Sequence, residues 1–331
     1  MYALGLDIGS SSIKCAIFDC ETGCSVARGS YPAEEMEISS PRPGFAEQDP
    51  ELWWKYVVIL TQQLLRQHAI DASAVATIGI SYQMHGLVLV DEHQRVLRPS
   101  IIWCDSRAVA IGNEAFSALG AEYSLGHLLN SPGNFTASKL RWVKENEPDV
   151  YKRAAKAMLP GDFIAMKLTG EIVTTISGLS EGIFWDFKEN RVSHELLAHY
   201  GIAEQLLPRV VPTFSVQGTL SKQAAAELGL REGTTVAYRA GDQPNNAFSL
   251  NVLEPGEIAA TAGTSGVVYG VIDAVNYDAQ SRVNPFEKFF QVLFRHNSPS
   301  IKKALNTSIR LRAFGYFPGR NRYPTQGSVR I

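Results

Sequence analysis

Two common nucleotide signatures are missing from this chain. No G-x-x-x-x-G-K-[ST] and no G-x-G-x-x-G occurs in its 331 residues, so any nucleotide it binds is held without a Walker loop or a Rossmann fingerprint. Cysteine is scarce. Cys15, Cys20, Cys24 and Cys104 are too few and too clustered for a disulfide framework, which points to a reducing compartment. The spacings among the first three do not match the C-x2-C pairing of a zinc knuckle. No apolar run reaches the roughly 18 residues of a membrane span. The start MYALGLDIGS has no charged region followed by an apolar one. Cytoplasm is therefore the expected location, with no membrane partner. Short-period repeats and low-complexity segments are absent as well.

With 45% hydrophobic and 19% charged residues, the chain is long enough for a large buried core and for two domains. Its net charge of −2 conceals an uneven distribution: residues 287–331 hold nine Lys/Arg against one acid. An acidic body argues against nucleic acid or an anionic membrane as the main partner. The basic end has Arg and aromatic residues, but neither an RNP-type pattern nor a helical basic stripe.

Residues 3–8 (ALGLDI), 13–19 (IKCAIFD) and 24–31 (CSVARGSY) read as strands separated by turn-rich stretches, an antiparallel meander. Asp49 followed by Pro50 predicts a helix start, with Trp53, Tyr56/Val57, Leu60 and Leu64 forming one buried stripe. Residues 75–81, 87–91 and 101–103 return to strand character. From about 106 to 232 the reading is mostly helical, with Ser106, Ser138, Asp162, Ser193 and Ser221 as caps. Strands resume at 236–238 and 257–262. The class is α/β, and a meander opening a mixed sheet differs from the ordinary doubly wound order.

Four motifs could carry chemistry. Asp7-Ile8-Gly9-Ser10-Ser11-Ser12 puts an acid at a strand end before a tight turn. Small residues let N–H groups and hydroxyls approach phosphate oxygens, and the carboxylate can hold the waters of a magnesium ion. A plain hairpin turn is the competing account. Gly263-Thr264-Ser265-Gly266 repeats the pattern after a second apolar strand, with the same two readings. Gly241-Asp242-Gln243-Pro244 places a carboxylate at a helix start, where it stays ionised and can accept a hydroxyl proton, or where it simply caps the helix. Ser81-Tyr82-Gln83-Met84-His85-Gly86 sets hydrogen-bonding side chains between two apolar strands. Such a loop could read a small polar ligand while Trp103 offers a face to sugar C–H groups, or His85 could be merely packed. Asp105 and Arg107 extend that polar surface or cap a helix.

Taken together, DIGSSSIKCAIFD (7–19), QMHG (83–86), RPSIIWCDSRA (98–108), AGDQPNNAF (240–248) and LEPGEIAATAGTSGVVYG (253–270) resemble the FGGY carbohydrate kinases in order and approximate spacing, over about residues 2–284. That resemblance implies the actin-like ATPase (ribonuclease H-like) fold, two lobes with the active site between them, and transfer of phosphate from ATP to a sugar hydroxyl. It implies that Asp7 organises Mg2+, with Asp242 a second candidate for the metal. Gly9, Ser10, Ser11 and Ser12, with Gly263, Thr264 and Ser265, would contact the nucleotide phosphates, and Asp242 would be the general base. Gln83, Met84, His85, Trp103, Asp105, Asp242 and Gln243 would contact the sugar. QMHG is similar to the xylulose kinases, whereas Gln243 is similar to the glycerol kinase pattern, and D-xylulose is the expected substrate. A homodimer fits the full-length family form.

The resemblance assigns residues 1–248 to a complete first lobe and 249–286 to only the start of a second. From 287 the sequence departs from the family, and no glycine-rich adenine-binding segment follows. An unrelated reading frame is the expectation for 287–331, which translation of the gene in its other frames tests. Kinase activity is then expected to be impaired, with a catalytically inactive sugar-binding lobe or pseudokinase as the alternative. An uncovered strand edge at the start of the second lobe is expected too.

Overall fold

The computed structural model describes residues 1–262 and 266–280. Gly263, Thr264 and Ser265, the last residues of the 249–286 segment and the basic stretch 287–331 lie outside the described residues. The meander forms as read: β1 (Tyr2–Ile8), β2 (Ile13–Asp19) and β3 (Ser25–Tyr31) pair antiparallel in sequence order. Alternation sets the faces, because Leu4, Leu6 and Ile8 of β1 point into the core while Gly5 and Asp7 point to the other side. Helix α1 (Pro50–Gln67) starts with Pro50 as predicted, and the Asp49 carboxylate accepts the Glu51 N–H. Its buried stripe, Trp53, Val57, Leu60 and Leu64, covers β2 and β3.

Strand β4 (Val75–Tyr82) runs parallel to β1. The chain then makes a long excursion that includes α2 (Thr136–Asn146), α3 (Pro160–Thr169) and α4 (Ile176–Glu181). Strand β5 (Phe214–Thr219), helix α5 (Lys222–Leu228) and strand β6 (Thr235–Gly241) bring it back to the sheet. The finished sheet has the order β5-β6-β4-β1-β2-β3, with β1, β4 and β6 parallel. Helices α1, α3 and α5 pack together over one face. The opposite face carries α6 (Asp242–Ser249), whose Phe248 stacks with Tyr238, itself stacked on Phe214. A hairpin of β7 (Ile258–Ala262) and β8 (Gly266–Gly270) comes next.

Two expectations need correction. The stretch 106–232 contains, besides helices, strands of two to six residues, among them 156–158, 173–175 and 209–211. Three of the five caps fail, Ser106, Ser138 and Asp162. The Ser106 hydroxyl donates to the Gly44 carbonyl, and the next helix starts at Val109 without a side-chain cap. Ser138 lies inside α2, where its hydroxyl bonds the Pro132 carbonyl and the Tyr200 phenol. Ser193 and Ser221 do cap their helices, accepting from Leu196 N–H and Ala224 N–H. Asp162 sits in the first turn of α3 and accepts the Leu159 N–H. Among the described residues, no helix is long and apolar enough to cross a membrane.

Candidate active site

Parallel register makes the site. Ile8 of β1 lies opposite Tyr82 of β4, and Gly241 of β6 lies opposite Tyr82 on its other side. The carboxy-terminal ends of three neighbouring strands are therefore level, which brings Asp7, Ser81 and Asp242 together. Such strand ends are where open α/β sheets hold ligands. Asp7 accepts from the Ser81 hydroxyl at 3.0 Å and from Lys14 Nζ at 3.1 Å. Asp242 is the first residue of α6, at the end that favours negative charge. Burial first, and the Asp7 carboxylate second, push its pKa up to about 6, while hydrogen bonds from the Gln243 backbone and side chain pull the other way. Asp7 and Asp242 thus lie at the same end of the sheet, near enough for the charge of one to raise the pKa of the other.

Close packing below Asp242 requires Gly241. A Cβ there would lie 2.5 Å from Met84 Cγ and 2.6 Å from Glu181 Oε2, so the 83–86 loop and the Asp242 turn fit only around a bare α-carbon. Met84 and Gln83 are themselves buried. The Gln83 amide reaches Gln48 Oε1 at 3.4 Å, and its own Oε1 has no partner among the described residues. His85 adopts a φ of 59°. Its ring Nδ1 sits 2.9 Å from the Glu181 carbonyl, an oxygen that can only accept, so Nδ1 carries the proton. Burial lowers its pKa to about 4, so the ring is neutral at pH 7 and Nε2 is an acceptor.

The Gly9–Ser12 turn follows β1 at the same end of the sheet. A Cβ on Gly9 would meet the Ser12 carbonyl at 2.9 Å, so the tight turn excludes larger residues. Ser11 contributes its carbonyl to Met36 N–H. The Ser10 hydroxyl accepts from Trp103 Nε1 at 3.2 Å, and the Ser10 carbonyl accepts from Gln48 Nε2 at 2.7 Å. The indole of Trp103 is 54% exposed. One polar chain therefore links the turn, the 83–86 loop and the indole, with Gln48 at its centre.

Asp105 does not reach this site and is withdrawn as a sugar contact. It is 0% exposed, and its carboxylate accepts from Ala46 N–H at 2.6 Å and from the Arg107 backbone and guanidinium. Arg107 in turn pairs with Glu47, which also binds Arg98, and its guanidinium lies over the rings of Phe45 and Trp142. This buried ion network supports the loop behind Trp103, and the reach of a carboxylate already holding that many donors goes no further.

Three polar residues were missed in the sequence. Gln48 and Glu181 gave no signal. Lys139 did, because it lies with Thr136, Leu140 and Val143 on the buried face of α2, where a cation is out of place. Its Nζ donates to the His85 and Ile102 carbonyls. Burial drags its pKa down to about 7, with Asp105 pulling it back up. Burial, with Asp242 and Asp162 nearby, holds the Glu181 carboxyl well above the usual carboxylate range. No group of three or more His, Cys, Asp or Glu side chains suited to a metal occurs among the described residues.

A carboxylate pair at the level ends of parallel strands, beside a glycine/serine turn of a meander, matches a known kinase lobe. Residues 2–249 fit the FGGY family of carbohydrate kinases, N-terminal domain. The chain belongs to that family, and its sheet is the first lobe of the actin-like ATPase fold. The relatives it resembles are xylulose kinases. It is 30% identical to the xylulose kinase of Escherichia coli over 283 residues, covering 86% of this chain and 57% of that one. Among solved structures, a xyloylose kinase from Brucella ovis is 35% identical with a TM-score of 0.79, covering 86% of this chain and 58% of that one. A xylulose kinase from Rhodospirillum rubrum is 29% identical with a TM-score of 0.77, covering 84% and 56%. The chain spans just over half the length of these relatives.

Proposed function

We propose that this lobe binds a pentulose, D-xylulose first among them, for phosphorylation by ATP, giving D-xylulose 5-phosphate and ADP. The observation that carries this reading is the nearness of Asp7 and Asp242 at the level ends of neighbouring parallel strands. Ionised Asp242 takes the proton of the acceptor hydroxyl as that oxygen forms its bond to the γ-phosphorus, and the bond to the ADP oxygen breaks. The neutral imidazole of His85 and the indole of Trp103 orient the sugar, and Gln243 holds the carboxylate of Asp242 in place. The Gly9–Ser12 turn, with Gly263, Thr264 and Ser265, would receive the phosphates.

Since magnesium takes hard oxygen ligands, Asp7 would hold it through water, with Asp242 the second candidate. Their proximity, felt as the upward push on Asp242, is the repulsion a divalent cation relieves. Bound there, magnesium would neutralise charge on the transferring phosphoryl group. The work is done in the cytoplasm, on small molecules, with no nucleic acid or membrane involved.

The chain spans 57% of the E. coli relative, and a sugar-binding lobe without catalysis is the second reading. A coupled ADP-release assay over a panel of pentuloses and polyols, on this chain and on a version joined to a relative's second lobe, tests the first. Calorimetry with sugar, then with ATP, tests the second: heat with sugar and none with nucleotide supports a binding lobe. Absence of pentulose binding in both forms removes the assignment.

A further inference from the structure

Lys139 has no task in the transfer proposed above, and its position is costly. The side chain is 0% exposed, where a charged amine is strongly disfavoured unless its donors find partners. Nζ lies 2.8 Å from the carbonyl oxygen of His85 and 3.0 Å from that of Ile102. Those carbonyls belong to two segments that pair directly at Leu87 and Ile101, so Nζ ties their ends beyond that bridge. One carries the imidazole of His85, and the other leads directly into the exposed indole of Trp103.

His85 depends on outside support. Its φ of 59° lies in the left-handed region that residues with a side chain avoid, and such a conformation persists only where its surroundings over-determine it. Lys139 holds its carbonyl. From the other side, the Glu181 carboxyl accepts the His85 N–H, the Glu181 carbonyl meets ring Nδ1, and the Phe135 ring packs edge-on at 4.8 Å. The carbonyl of Ile102 has the same ammonium, so one cation spans both segments. A buried ion is weak evidence for stability in itself, since an apolar side chain of similar volume often serves as well. What a methionine here could not do is hold two carbonyls at a fixed separation.

We propose that Lys139 is a positioning residue whose buried ammonium sets the distance between His85 and Trp103, and with it the width of the slot that takes the sugar. The ligand in this statement rests on the sugar-kinase reading; the clamp does not. Lys139→Met is compared with the unmodified chain by hydrogen exchange and by calorimetry with D-xylulose. Exchange is expected to rise together in 83–87 and 101–106, whose Leu87, Ile102 and Asp105 amides are hydrogen-bonded, while β1 and β2 stay protected. Sugar binding should weaken about tenfold, as for the loss of a charge-assisted hydrogen bond. A merely structural lysine would lower the melting temperature and leave both readouts per folded molecule unchanged, and that result overturns the proposal. If the unmodified chain binds no sugar, the kinase reading fails, and the exchange data still decide the clamp. Lys139→Gln, which keeps an N–H donor on a shorter arm, repeats the test should Lys139→Met not fold. Failure of both to fold makes Lys139 a folding requirement and sinks the positioning role.

Discussion

Residues 2–249 and residues 250–277 treat their apolar side chains in opposite ways. Among the described residues, the first stretch exposes five large hydrophobics, Val26, Ile38, Trp103, Val109 and Val216, while the far shorter second exposes six, including Ile258 and Val268. Val268 is 74% exposed, whereas Leu60 of α1 is 1%. The first stretch closes its own core. The second, beyond the end of the family match at 249, offers apolar surface of the sort a further layer of protein covers in a longer chain. The difference teaches that, among the described residues, the family-matched stretch packs around its own core while the stretch after it does not.

The largest expected effect is on turnover. Joining the second lobe of a relative should raise sugar-dependent ADP release at least ~10³-fold over the present chain, because closure and alignment of the phosphoryl group are worth several orders of magnitude. A gain under about tenfold would erase the contrast. Next is packing: Leu60→Ala should lower unfolding stability by about 2–5 kcal/mol, and Val268→Ala by no more than about 0.5 kcal/mol, both read from urea titrations. Equal losses would show that the hairpin has a packed core after all.

The effect of pH on turnover comes third. Asp242 must be ionised to take the proton of the sugar hydroxyl, and its pKa is raised from 3.8 to about 6, so ADP release by the form joined to a second lobe should fall about tenfold per pH unit below that point. Asp7→Asn removes the neighbouring like charge and should move the midpoint down. Stability runs with two opposed contributions. Asp242 holds a proton in the folded state between 3.8 and about 6, so its contribution declines as pH rises through that window. His85 has its pKa lowered from 6.5 to about 4, so its contribution is lost as pH falls through 6.5 to 4. Smaller still, Asp49→Ala should cost about 1 kcal/mol by removing the cap of α1. Least of all for stability, Val268→Lys should leave the melting temperature unchanged yet reduce self-association in light scattering.

The meander and α1 were legible because alternation over seven residues and a Pro after Asp leave little freedom. The local setting of the two acids was legible for a related reason: Asp7 lies just before the end of β1, and Asp242 opens the helix after β6. What failed was short or distant. Strands of two or three residues between 106 and 232 have no period to read. Ser106 and Ser138 found partners far along the chain, Gly44 and Tyr200, that no local pattern reveals. Asp105 looked like surface beside Trp103, but Ala46 and Arg107 draw it inward. Gln48 and Glu181 enter the site only through tertiary packing, whereas Lys139 on an apolar helical stripe was a readable warning.

The level ends of β1, β4 and β6 also say where this architecture can tolerate growth. One residue added within any of these strands would push the remainder of that strand along by about 3.3 Å and turn every later side chain to the opposite face, carrying a carboxylate or a hydroxyl into the hydrocarbon interior. Insertions are absorbed after a strand has ended, or as a bulge far from the level ends, as at Ala76 of β4 and Ala237 of β6. The long excursion between Tyr82 and Phe214 is placed accordingly, and elaborations of this lobe should accumulate there while the three rods beneath the site keep their lengths.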